Sequence, residues 1–453
     1  MHPNSNFLKE NNARHMWHPM AHPAEMLAHP PKVISAAEGV MITDIDGHKT
    51  IDAVGGLWNV NLGYSCQPIK DAITRQLDEL AYYSAFRGTS TAPAIELSAM
   101  LAEWFEPDGM VRSFFTSGGS DSIETALRLA RQYHKQTGER DRTKFISIKK
   151  GYHGTHFGGA SVNGNANFRR NYEPLMPGCF QIPAPYTYRN PFNETDPAKL
   201  AAFCAQALED EIQFQGPDTV AAFIMEPVLG AGGVIPPHES FMPKVREICD
   251  RYGILLIADE VITAFGRTGA WTGSRLWNVK PDMMAVAKAI TNGYFPFGAT
   301  MISEKVANVF ESNTDSFGMI GHGYTYSAHP VGAAAALACV PAITEARVND
   351  NAAARGTELL TAAEALKEKY ALVGDVRGKG LMVALEMVSD RESKTPADKA
   401  TIATFHDKVY EAGVMVRVSG PNIILSPPLV ITSDDVQTIA SALDAGLAAA
   451  TQA

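Results

Sequence analysis

The hydrophobic positions of the chain fall into two kinds of run. Two stretches, 219–228 (TVAAFIMEPV) and 253–261 (GILLIADEV), are apolar almost without interruption and include acids near their ends. Continuous rather than alternating apolarity indicates strands that are buried on both faces of a parallel sheet. Between such strands lie amphipathic stretches with helical spacing, such as 69–80 (IKDAITRQLDEL). Strands that alternate with helices predict a doubly wound α/β domain, which places its chemistry at the carboxyl ends of the strands.

The two ends of the chain differ from this middle part. The first forty residues are rich in His and Pro and predict an extended arm. Residues 39–56 then alternate and turn at Asp46-Gly47, which predicts a β-hairpin. After about residue 330, helices mix with short strands, which is typical of a smaller α+β domain. We therefore expect three parts: an N-terminal arm and hairpin over 1–60 that belongs to the small domain, a large domain over 61–328 and the C-terminal small domain over 329–453.

Composition excludes several classes of protein. The 453 residues include 39 Lys or Arg and 49 Asp or Glu, and this net charge of −10 argues against a nucleic-acid partner. The five cysteines are widely spaced without a metal-binding pattern, which indicates free thiols in a reducing compartment. No apolar run is long enough to span a membrane, and the N-terminal residues lack the apolar core of a signal sequence. We expect a cytoplasmic protein with no nucleic-acid, membrane or metal partner.

Three features suggest chemistry, although each also has an ordinary structural explanation. A glycine-rich turn over 116–120 (TSGGS) could bind phosphate through its backbone amides, or be a plain turn whose serine caps a helix. Asp259 follows a buried run, where a strand commonly meets solvent. Lys288 lies in the apolar stretch 281–299 (PDMMAVAKAITNGYFPFGA), where the alternative is a lysine whose amine reaches water.

The three features together indicate one ligand. A lysine that is removed from water loses affinity for its proton and becomes a nucleophile. Pyridoxal 5′-phosphate (PLP) combines a phosphate, a ring nitrogen that prefers a carboxylate and an aldehyde that reacts with an amine. A lysine together with an acidic partner of the ring nitrogen is typical of PLP enzymes. The sequence therefore predicts PLP as the cofactor.

Eight short motifs extend through nearly the whole chain: GLWNVNLGY (56–64), SGGSDSIET (117–125), GYHG (151–154), AAFIMEPVLGAGGVI (221–235), LLIADEVITAFGRTG (255–269), AKAITNGYFPFGA (287–299), HGYTYSAHPVGAAAA (322–336) and VRGKGLM (376–382). In this order they resemble the class III (omega) aminotransferases of the fold-type I PLP family. The resemblance implies a large α/β domain with a mostly parallel seven-stranded sheet, and a smaller α+β domain formed by both termini. It also implies ping-pong transfer of an amino group from a donor to a keto acid.

The resemblance further implies a role for each residue at a matching position. Lys288 is expected to bond to the cofactor and to carry the proton, and Asp259 to pair with the pyridinium nitrogen. The other cofactor-binding positions are Gly119 and Ser120 at the phosphate, Tyr152 and Val261 on the two faces of the ring, Glu226 beside Asp259, and Thr325, which in relatives reaches the cofactor of the other subunit. That last role implies a homodimer with shared active sites, and leaves open whether dimers pair into tetramers.

Four positions bear on the substrate. The resemblance implies that Arg417 binds a substrate carboxylate and that Trp58 and Phe86 line the pocket, although packing or surface roles are the alternatives. Arg87 departs from the family pattern, because many amine-acting relatives have an aromatic residue there. We therefore expect an omega-amino acid donor with an acidic end, of the taurine or β-alanine type. The expected acceptor is pyruvate.

Other functions stay open at this level. If Arg87 points away from the substrate, the chain would be an amine-specific pyruvate transaminase for polyamines or aromatic amines. The same fold supports PLP-dependent decarboxylases and aminomutases. A member without activity would be expected to lack Lys288 or Asp259, and both are present. Two further positions depart from the family pattern: SGGSDS at 117–122 keeps the Gly-Ser pair but leaves the contacts behind the phosphate turn open, and Ala264, where a glycine is usual, is a small change.

Overall fold

The computed structural model describes residues 4–314 and 318–452. Its strands are β1 (Ile34–Glu38), β2 (Met41–Asp44), β3 (Lys49–Asp52), β4 (Met110–Thr116), β5 (Lys144–Ile148), β6 (Cys179–Ile182), β7 (Val220–Met225), β8 (Leu255–Asp259), β9 (Met283–Val286), β10 (Gly298–Ser303), β11 (Val373–Gly378), β12 (Val383–Asp390), β13 (Thr395–Pro396), β14 (Val414–Met415), β15 (Arg417–Ser419) and β16 (Asn422–Leu425).

The α-helices are α1 (Ser5–Asn11), α2 (Pro23–Ala28), α3 (Gly55–Trp58), α4 (Gln67–Glu79), α5 (Ala92–Trp104), α6 (Gly119–Gln136), α7 (Phe157–Val162), α8 (Pro197–Gln215), α9 (Phe241–Tyr252), α10 (Gly273–Leu276), α11 (Glu304–Ser312), α12 (Pro330–Glu345), α13 (Val348–Lys369), α14 (Lys399–Glu411) and α15 (Ser433–Gln452). Short 3-10 helices cover Glu106–Asp108, Ala166–Phe168, Pro217–Thr219 and Lys288–Thr291.

A seven-stranded sheet in the order β4-β10-β9-β8-β7-β5-β6 forms the centre of the fold. The strands from β9 to β6 pair in parallel, whereas β10 is antiparallel to both of its neighbours. Helices separate these strands along the chain. This arrangement confirms the predicted α/β class with a mostly parallel seven-stranded sheet.

The continuously apolar runs are strands that are covered on both faces. Every residue of β7 is buried. Because successive side chains of a strand point to opposite faces, Phe223 and Met225 join one apolar cluster, whereas Ala222 and Ile224 join another. Burial of one large apolar side chain stabilises the fold by about 1.5–3 kcal/mol, so both faces of the strand favour this position at the centre of the sheet.

The two ends of the chain share the smaller sheets. β2 and β3 form the predicted hairpin, in which Gly47 takes a φ of +90° at the turn. β14, from the C-terminal part, pairs in parallel with β3 and completes the sheet β1-β2-β3-β14. A second small sheet has the order β11-β12-β16-β15, with β13 beside β12. This confirms a smaller α+β part built from both termini, while the domain boundaries at 60/61 and 328/329 stay a prediction.

The N-terminal arm contains more structure than expected. The prediction of an extended arm was wrong for α1 and α2, which are short helices. Pro23 begins α2, where a missing N–H costs nothing because the first N–H groups of a helix have no partner within it. The arm still exposes apolar side chains, since Trp17 is 83% and Phe7 64% exposed. These side chains therefore do not belong to the core of the chain.

None of the individual helices in the described ranges is long and apolar enough to cross a membrane. α12 and α13 pass that criterion only when joined, by length and composition alone, and they bend by 60° where they meet. Within residues 4–314 and 318–452 there is also no group of three or more His, Cys, Asp or Glu side chains that could hold a metal ion.

Candidate active site

The carboxyl ends of three neighbouring strands form a cavity of about 350 Å³, which we call the cofactor cavity. β8 lies between β7 and β9, so Asp259 at the end of β8 has Glu226 on one side and Lys288 on the other. All three side chains line the cavity. The fold thus brings three ionisable groups from distant parts of the sequence to the edge of the sheet that was predicted to carry chemistry.

Lys288 has an unusual backbone conformation at the start of its 3-10 helix. Its φ is +52°, in the left-handed region that costs a residue with a Cβ about 1–2 kcal/mol. Its carbonyl accepts a hydrogen bond from the N–H of Gly293 at 3.2 Å. Burial lowers the pKa of Lys288 to about 8, although the carboxylates of Asp259 and Glu226 act in the opposite direction. A neutral, nucleophilic amine is therefore accessible near physiological pH.

The side chain of Asp259 is oriented by its neighbours. Nδ1 of His153 lies 2.8 Å from Oδ2, and the backbone N–H of Val261 donates to Oδ1 at 3.2 Å. His153 is fixed in turn by Asn163, whose side-chain oxygen accepts the backbone N–H of His153 at 2.5 Å. Asp259 is 5% exposed and His153 1% exposed. The result is a buried carboxylate with a defined direction, which is what the protonated nitrogen of a pyridine ring requires.

Glu226 lies at the other side of Asp259 and links two loops. One carboxylate oxygen accepts the backbone N–H of Tyr152 at 2.9 Å, and the other accepts that of Gly230 at 2.8 Å. Burial and the adjacent charge of Asp259 raise the pKa of Glu226 to about 7. Glu226 therefore differs from Asp259 in function, because it holds the loops that follow β5 and β7.

Small residues keep one end of the cavity open, at the N-terminus of α6. A Cβ at Gly119 would lie 2.9 Å from Cγ1 of Val261, and a Cβ at Gly154 would lie 2.6 Å from Oγ of Ser120. The first N–H groups of an eighteen-residue helix such as α6 have no acceptor within the helix and attract an anion. Oγ of Ser120 accepts the N–H of Thr155 at 3.2 Å, so the turn is also tied to the loop behind it.

These features fit PLP. The cavity combines a phosphate-binding turn, a fixed carboxylate and a buried amine, and its volume is in the range of small-molecule sites. Tyr152 and Val261 also line it, as expected for residues that cover the ring. Nε2 of His153 is buried and has no hydrogen-bond partner in the described parts of the chain, so a polar group of the site remains to be satisfied.

Arg417 approaches the cavity from the second small sheet. The stretch 414–420 (VMVRVSG) is divided into β14 and β15, which belong to different sheets, and Arg417 is the first residue of β15. The positive charge of Arg417 acts on two residues of the cavity. It lowers the pKa of Lys288, in the same direction as burial, and it lowers the pKa of Tyr152, which burial raises. A cation therefore lies near the reacting amine.

Phe86, Arg87 and Thr325 lie elsewhere. Phe86 and Arg87 line a second, open cavity of about 1350 Å³, which we call the outer concavity; it is formed by the segments 85–87, 113–115, 156–157, 319–324 and 327–328 and by Glu124 and Arg128 of α6. Thr325 does not line it but lies between the last two of these segments, and its carbonyl accepts the hydroxyl of Tyr82 at 2.7 Å. None of the three lines the cofactor cavity of its own chain.

Trp58 is placed differently again. Its side chain is 2% exposed and belongs to the main apolar core, and its φ is +67°. The neighbouring Leu57, rather than Trp58, lines the cofactor cavity. Contact of Trp58 with substrate stays a prediction.

Two residues of the site region received no role from the sequence. His153 lies in the motif GYHG, but only the fold reveals that it is hydrogen-bonded to Asp259. Arg267, in the motif LLIADEVITAFGRTG, is fully buried and donates to the carbonyls of Leu381 and Pro427 and to Asn61. Both were present in motifs, yet their partners are more than a hundred residues away in sequence.

Comparison with known proteins identifies the family. Residues 24–447 match the model of the family described as Aminotransferase class-III. The chain belongs to this family. It is a PLP-dependent aminotransferase of fold-type I whose substrates are an amino donor and a keto acid.

Relatives with named activities cover most of this class III aminotransferase. The putrescine–pyruvate aminotransferase of Pseudomonas aeruginosa is 37% identical over 409 residues, which cover 90% of this chain and 88% of the relative. Gamma-aminobutyrate transaminase 1, mitochondrial, of Oryza sativa subsp. indica is 36% identical over 413 residues, 91% of this chain and 80% of the relative.

Solved structures resemble the whole chain. An amine transaminase from an uncultivated Pseudomonas species, in its PLP-bound form, is 47% identical with a TM-score of 0.94, over 96% of this chain and 98% of the other. An (S)-enantioselective omega-transaminase from Thermomicrobium roseum is 36% identical with the same TM-score of 0.94, over 99% of both chains. The aminotransferase is thus similar to omega-transaminases along its full described length.

Proposed function

We propose that this aminotransferase takes the amino group from the terminal carbon of an omega-amino acid or amine and passes it to pyruvate by a ping-pong route. One observation carries the proposal: Lys288, buried beside Asp259 at the end of the sheet, has a pKa of about 8. A lysine in that state is suited to covalent catalysis and to proton transfer.

The residues of the cavity divide the work. When bound, PLP supplies an aldehyde for the amine and a ring that withdraws electrons from the substrate carbon. Nζ of Lys288 would hold the cofactor through its aldehyde, with loss of water, and once released would remove a proton from the donor carbon that bears the amino group. Asp259 would keep the proton on the ring nitrogen, and His153 keeps Asp259 in place. Proton transfer by a positioned group of this kind contributes about 10²–10⁴-fold to the rate.

Binding of the cofactor is assigned to the remaining predicted positions. Gly119 and Ser120 would hold the phosphate at the N-terminus of α6, and Tyr152 and Val261 would cover the ring. The close approach of Gly119 to Val261 supports this, because a Cβ at Gly119 would lie 2.9 Å from Cγ1 of Val261 and would force that side chain to move. Glu226 supports Tyr152 by accepting a hydrogen bond from the backbone N–H of Tyr152.

The donor that we favour has an acidic end, as in taurine or β-alanine. Arg417 supports this choice, because a planar guanidinium binds two oxygens of a carboxylate at once and its charge lies near Lys288. An amine without an acidic end is the second candidate. Similarity to the putrescine–pyruvate aminotransferase and to the amine transaminase favours it.

A panel of donors against acceptors tests the proposal. Taurine, β-alanine, putrescine and 1-phenylethylamine would each be mixed with the PLP-loaded enzyme without acceptor, and the absorbance of the cofactor followed. A donor that is used converts the cofactor to its amino form without release of carbon dioxide, and pyruvate then restores the starting spectrum. If no donor changes the spectrum, or if carbon dioxide is released in step with it, transamination of this kind is wrong.

We also propose a homodimer with shared active sites. The support is the position of Phe86, Arg87 and Thr325, which lie around the exposed outer concavity rather than in the cofactor cavity of their own chain. A second copy seated there would receive these side chains at its own site. Sedimentation equilibrium measures the assembly, and a monomer that is active at nanomolar concentration would contradict the proposal. Location in the cytoplasm likewise stays a prediction.

A further inference from the structure

The small sheet that carries Arg417 faces the large sheet through a buried polar cluster that the proposed chemistry does not use. Glu386 of β12 lies at its centre and is 2% exposed. Its carboxylate accepts the hydroxyl of Tyr186, accepts Nε of Arg189 at 2.6 Å, and lies 3.3 Å from Nη1 of Arg377. One carboxylate therefore joins β12 to β11 and to the segment between β6 and α8.

Arg377, from the motif VRGKGLM, extends the cluster in two directions. Its guanidinium donates to Oδ2 of Asp375 at 2.7 Å, to the side chain of Asn422, and to the carbonyl of Gly233 at 2.9 Å. It also stacks on the ring of Tyr186, 4.7 Å from the centroid. Gly233 lies in the loop that follows Glu226, so Arg377 connects the small sheet to a loop of the cofactor cavity.

That loop is packed directly against the segment that carries Tyr152. A Cβ at Gly232 would lie only 2.4 Å from the carbonyl oxygen of Lys150. Glu226 binds the N–H groups of both Tyr152 and Gly230. Arg377 therefore contacts, through Gly233, a loop that packs against the segment that carries Tyr152.

The register of the small sheet places Arg417 in line with this cluster. One row of paired residues crosses the four strands β11, β12, β16 and β15; it contains Asp375, Glu386, Asn422 and Ser419. The row two residues along contains Arg377, Ala384, Ile424 and Arg417. Residues two apart on a strand share a face, so Arg417 stands on the same face as Glu386 and Arg377.

Two hydrogen bonds continue from the cluster to β15 itself. Nδ2 of Asn422 donates to the carbonyl of Ser419 at 3.1 Å, and Oγ of Ser419 donates to the carbonyl of Ala231 at 3.4 Å. β15 has only three residues, and the side chain of Arg417 makes no hydrogen bond or ion pair with any described residue. The placement of Arg417 therefore depends on what holds its strand.

We propose that Glu386 and Arg377 are positioning residues that fix β15 against the loops of the cofactor cavity, so that Arg417 meets the carboxylate of the substrate. The proposal rests on the proposed role of Arg417. Loss of the cluster would leave the amine chemistry of Lys288 intact, because Lys288 and Asp259 are held by the large sheet. It would specifically weaken recognition of substrates that carry a carboxylate.

Glu386→Gln tests this, because it removes the charge and keeps the shape. In a ping-pong reaction, kcat/KM for pyruvate and kcat/KM for 1-phenylethylamine each report one half-reaction. We expect about a tenfold fall for pyruvate and less than about a twofold change for the carboxylate-free amine, in the range of coupling between neighbouring groups. Tyr186→Phe, which removes one hydroxyl, should give a smaller fall in the same direction and serves if Glu386→Gln does not fold.

Asp444→Asn is the matched control. It also converts an acid to its amide in the C-terminal part, but its ion pair with Lys369, at 2.6 Å, is exposed and distant in sequence from the cluster. Both kcat/KM values should stay within about twofold of the parent, because exposed ion pairs contribute little. A selective fall for pyruvate in Asp444→Asn as well would overturn the proposal.

A double variant separates this proposal from the function on which it rests. If Glu386 acts through Arg417, Glu386→Gln should have no further effect on pyruvate in the Arg417→Ala background. Equal losses for both substrates, or additive losses in the double variant, would overturn the positioning role while Arg417 keeps its own. If Arg417→Ala alone leaves pyruvate unchanged, the proposed carboxylate site is wrong, and the positioning role is overturned with it.

Discussion

The cofactor cavity and the outer concavity differ in enclosure although they share two segments of chain. Ser117 and Gly154 line the cofactor cavity, whereas Phe115 and His156, each two residues away from one of them, line the outer concavity. The cofactor cavity, of about 350 Å³, is lined by ionisable groups at the ends of buried strands. The outer concavity, of about 1350 Å³, carries exposed side chains, as Phe86 at 51% exposure shows.

Enclosure has a chemical consequence. In the cofactor cavity, burial moves the pKa of Lys288 down to about 8 and that of Glu226 up to about 7, so two groups of opposite type both titrate near neutral pH. In the outer concavity burial likewise lowers the pKa of His322 and raises that of Tyr324 to about 12, but the cofactor cavity is the one that joins a buried amine to two carboxylates. The comparison assigns the reaction to the enclosed region and specificity, with contacts to a second copy, to the open region.

Replacement of Lys288 should have the largest effect. Lys288→Ala is expected to lower the rate of the donor half-reaction by more than about 10⁴-fold, the upper end of general acid–base catalysis, because covalent attachment is lost as well. Stopped-flow absorbance of the cofactor measures it. Lys280→Ala, which changes an exposed lysine eight residues earlier, is the control and should be unaffected. A slow but substantial rate in Lys288→Ala would place the catalytic amine elsewhere.

Asp259→Asn should be the next most severe change. The amide cannot keep the ring nitrogen protonated, so we expect the donor half-reaction to slow by about 10²–10³-fold, as on removal of one preorganised electrostatic contact. His153 should still hydrogen-bond to the amide, which keeps the geometry comparable. A near-normal rate in Asp259→Asn would show that the ring does not depend on this carboxylate.

Uptake of PLP by the apo-enzyme should depend on pH through Lys288. Only the neutral amine reacts, so a depressed pKa of about 8 predicts a rate constant that rises about tenfold per pH unit below that value and levels above it. From pH 6 to 8 the gain is therefore about fiftyfold, because half of the amine is still protonated at pH 8. If the rate constant instead continues to rise up to about pH 10.5, the ordinary pKa of a lysine, burial does not control the pKa of this amine.

Thr325→Val tests whether the open region serves a second copy. If the hydroxyl reaches the phosphate of the partner subunit's cofactor, its loss should raise the Kd of PLP by about 10–100-fold, since a hydrogen bond to a charged group contributes about 1.5–3 kcal/mol. Thr361→Val is the control, because that hydroxyl donates to the carbonyl of Thr357 within α13. Unchanged affinity for PLP in Thr325→Val would show that Thr325 does not contact the cofactor of a partner subunit.

Arg87→Phe should have the smallest effect, on preference rather than on rate. Relative kcat/KM for taurine and β-alanine should fall by about fivefold against 1-phenylethylamine, which corresponds to about 1 kcal/mol for a partly solvated charge pair. Unchanged ratios would show that Arg87 does not face the donor. The acidic-donor hypothesis would then depend on Arg417 alone.

The sequence predicted the enclosed region better than the open one, for physical reasons. Strands such as 220–225 and 255–259 are buried on both faces, so their continuous apolar pattern identifies them without further information. Lys288 stood out because a charge in an apolar stretch is costly unless it has a function. Residues of the open region obey no such pattern, and Phe86 and Arg87 were located only by the family resemblance.

Contacts between distant segments were beyond the sequence for a different reason. Glu386 reads as one acid in a strand, and only pairing of β12 with β11 and β16 brings it to Arg377. Trp58 is 2% exposed and has a φ of +67°, which the sequence did not reveal, and its expected contact with substrate stays a prediction. The helices of the arm were missed because short helices contain too few residues to show a period.

Reductive trapping tests the central claim most directly. The PLP-loaded enzyme would be reduced with borohydride and digested, and the peptide that carries the pyridoxyl group identified by mass spectrometry. The account predicts one modified lysine per chain, Lys288, and none at the neighbouring Lys280 or Lys305. A label at any other lysine, or a yellow enzyme from which borohydride leaves no covalent label, would contradict it.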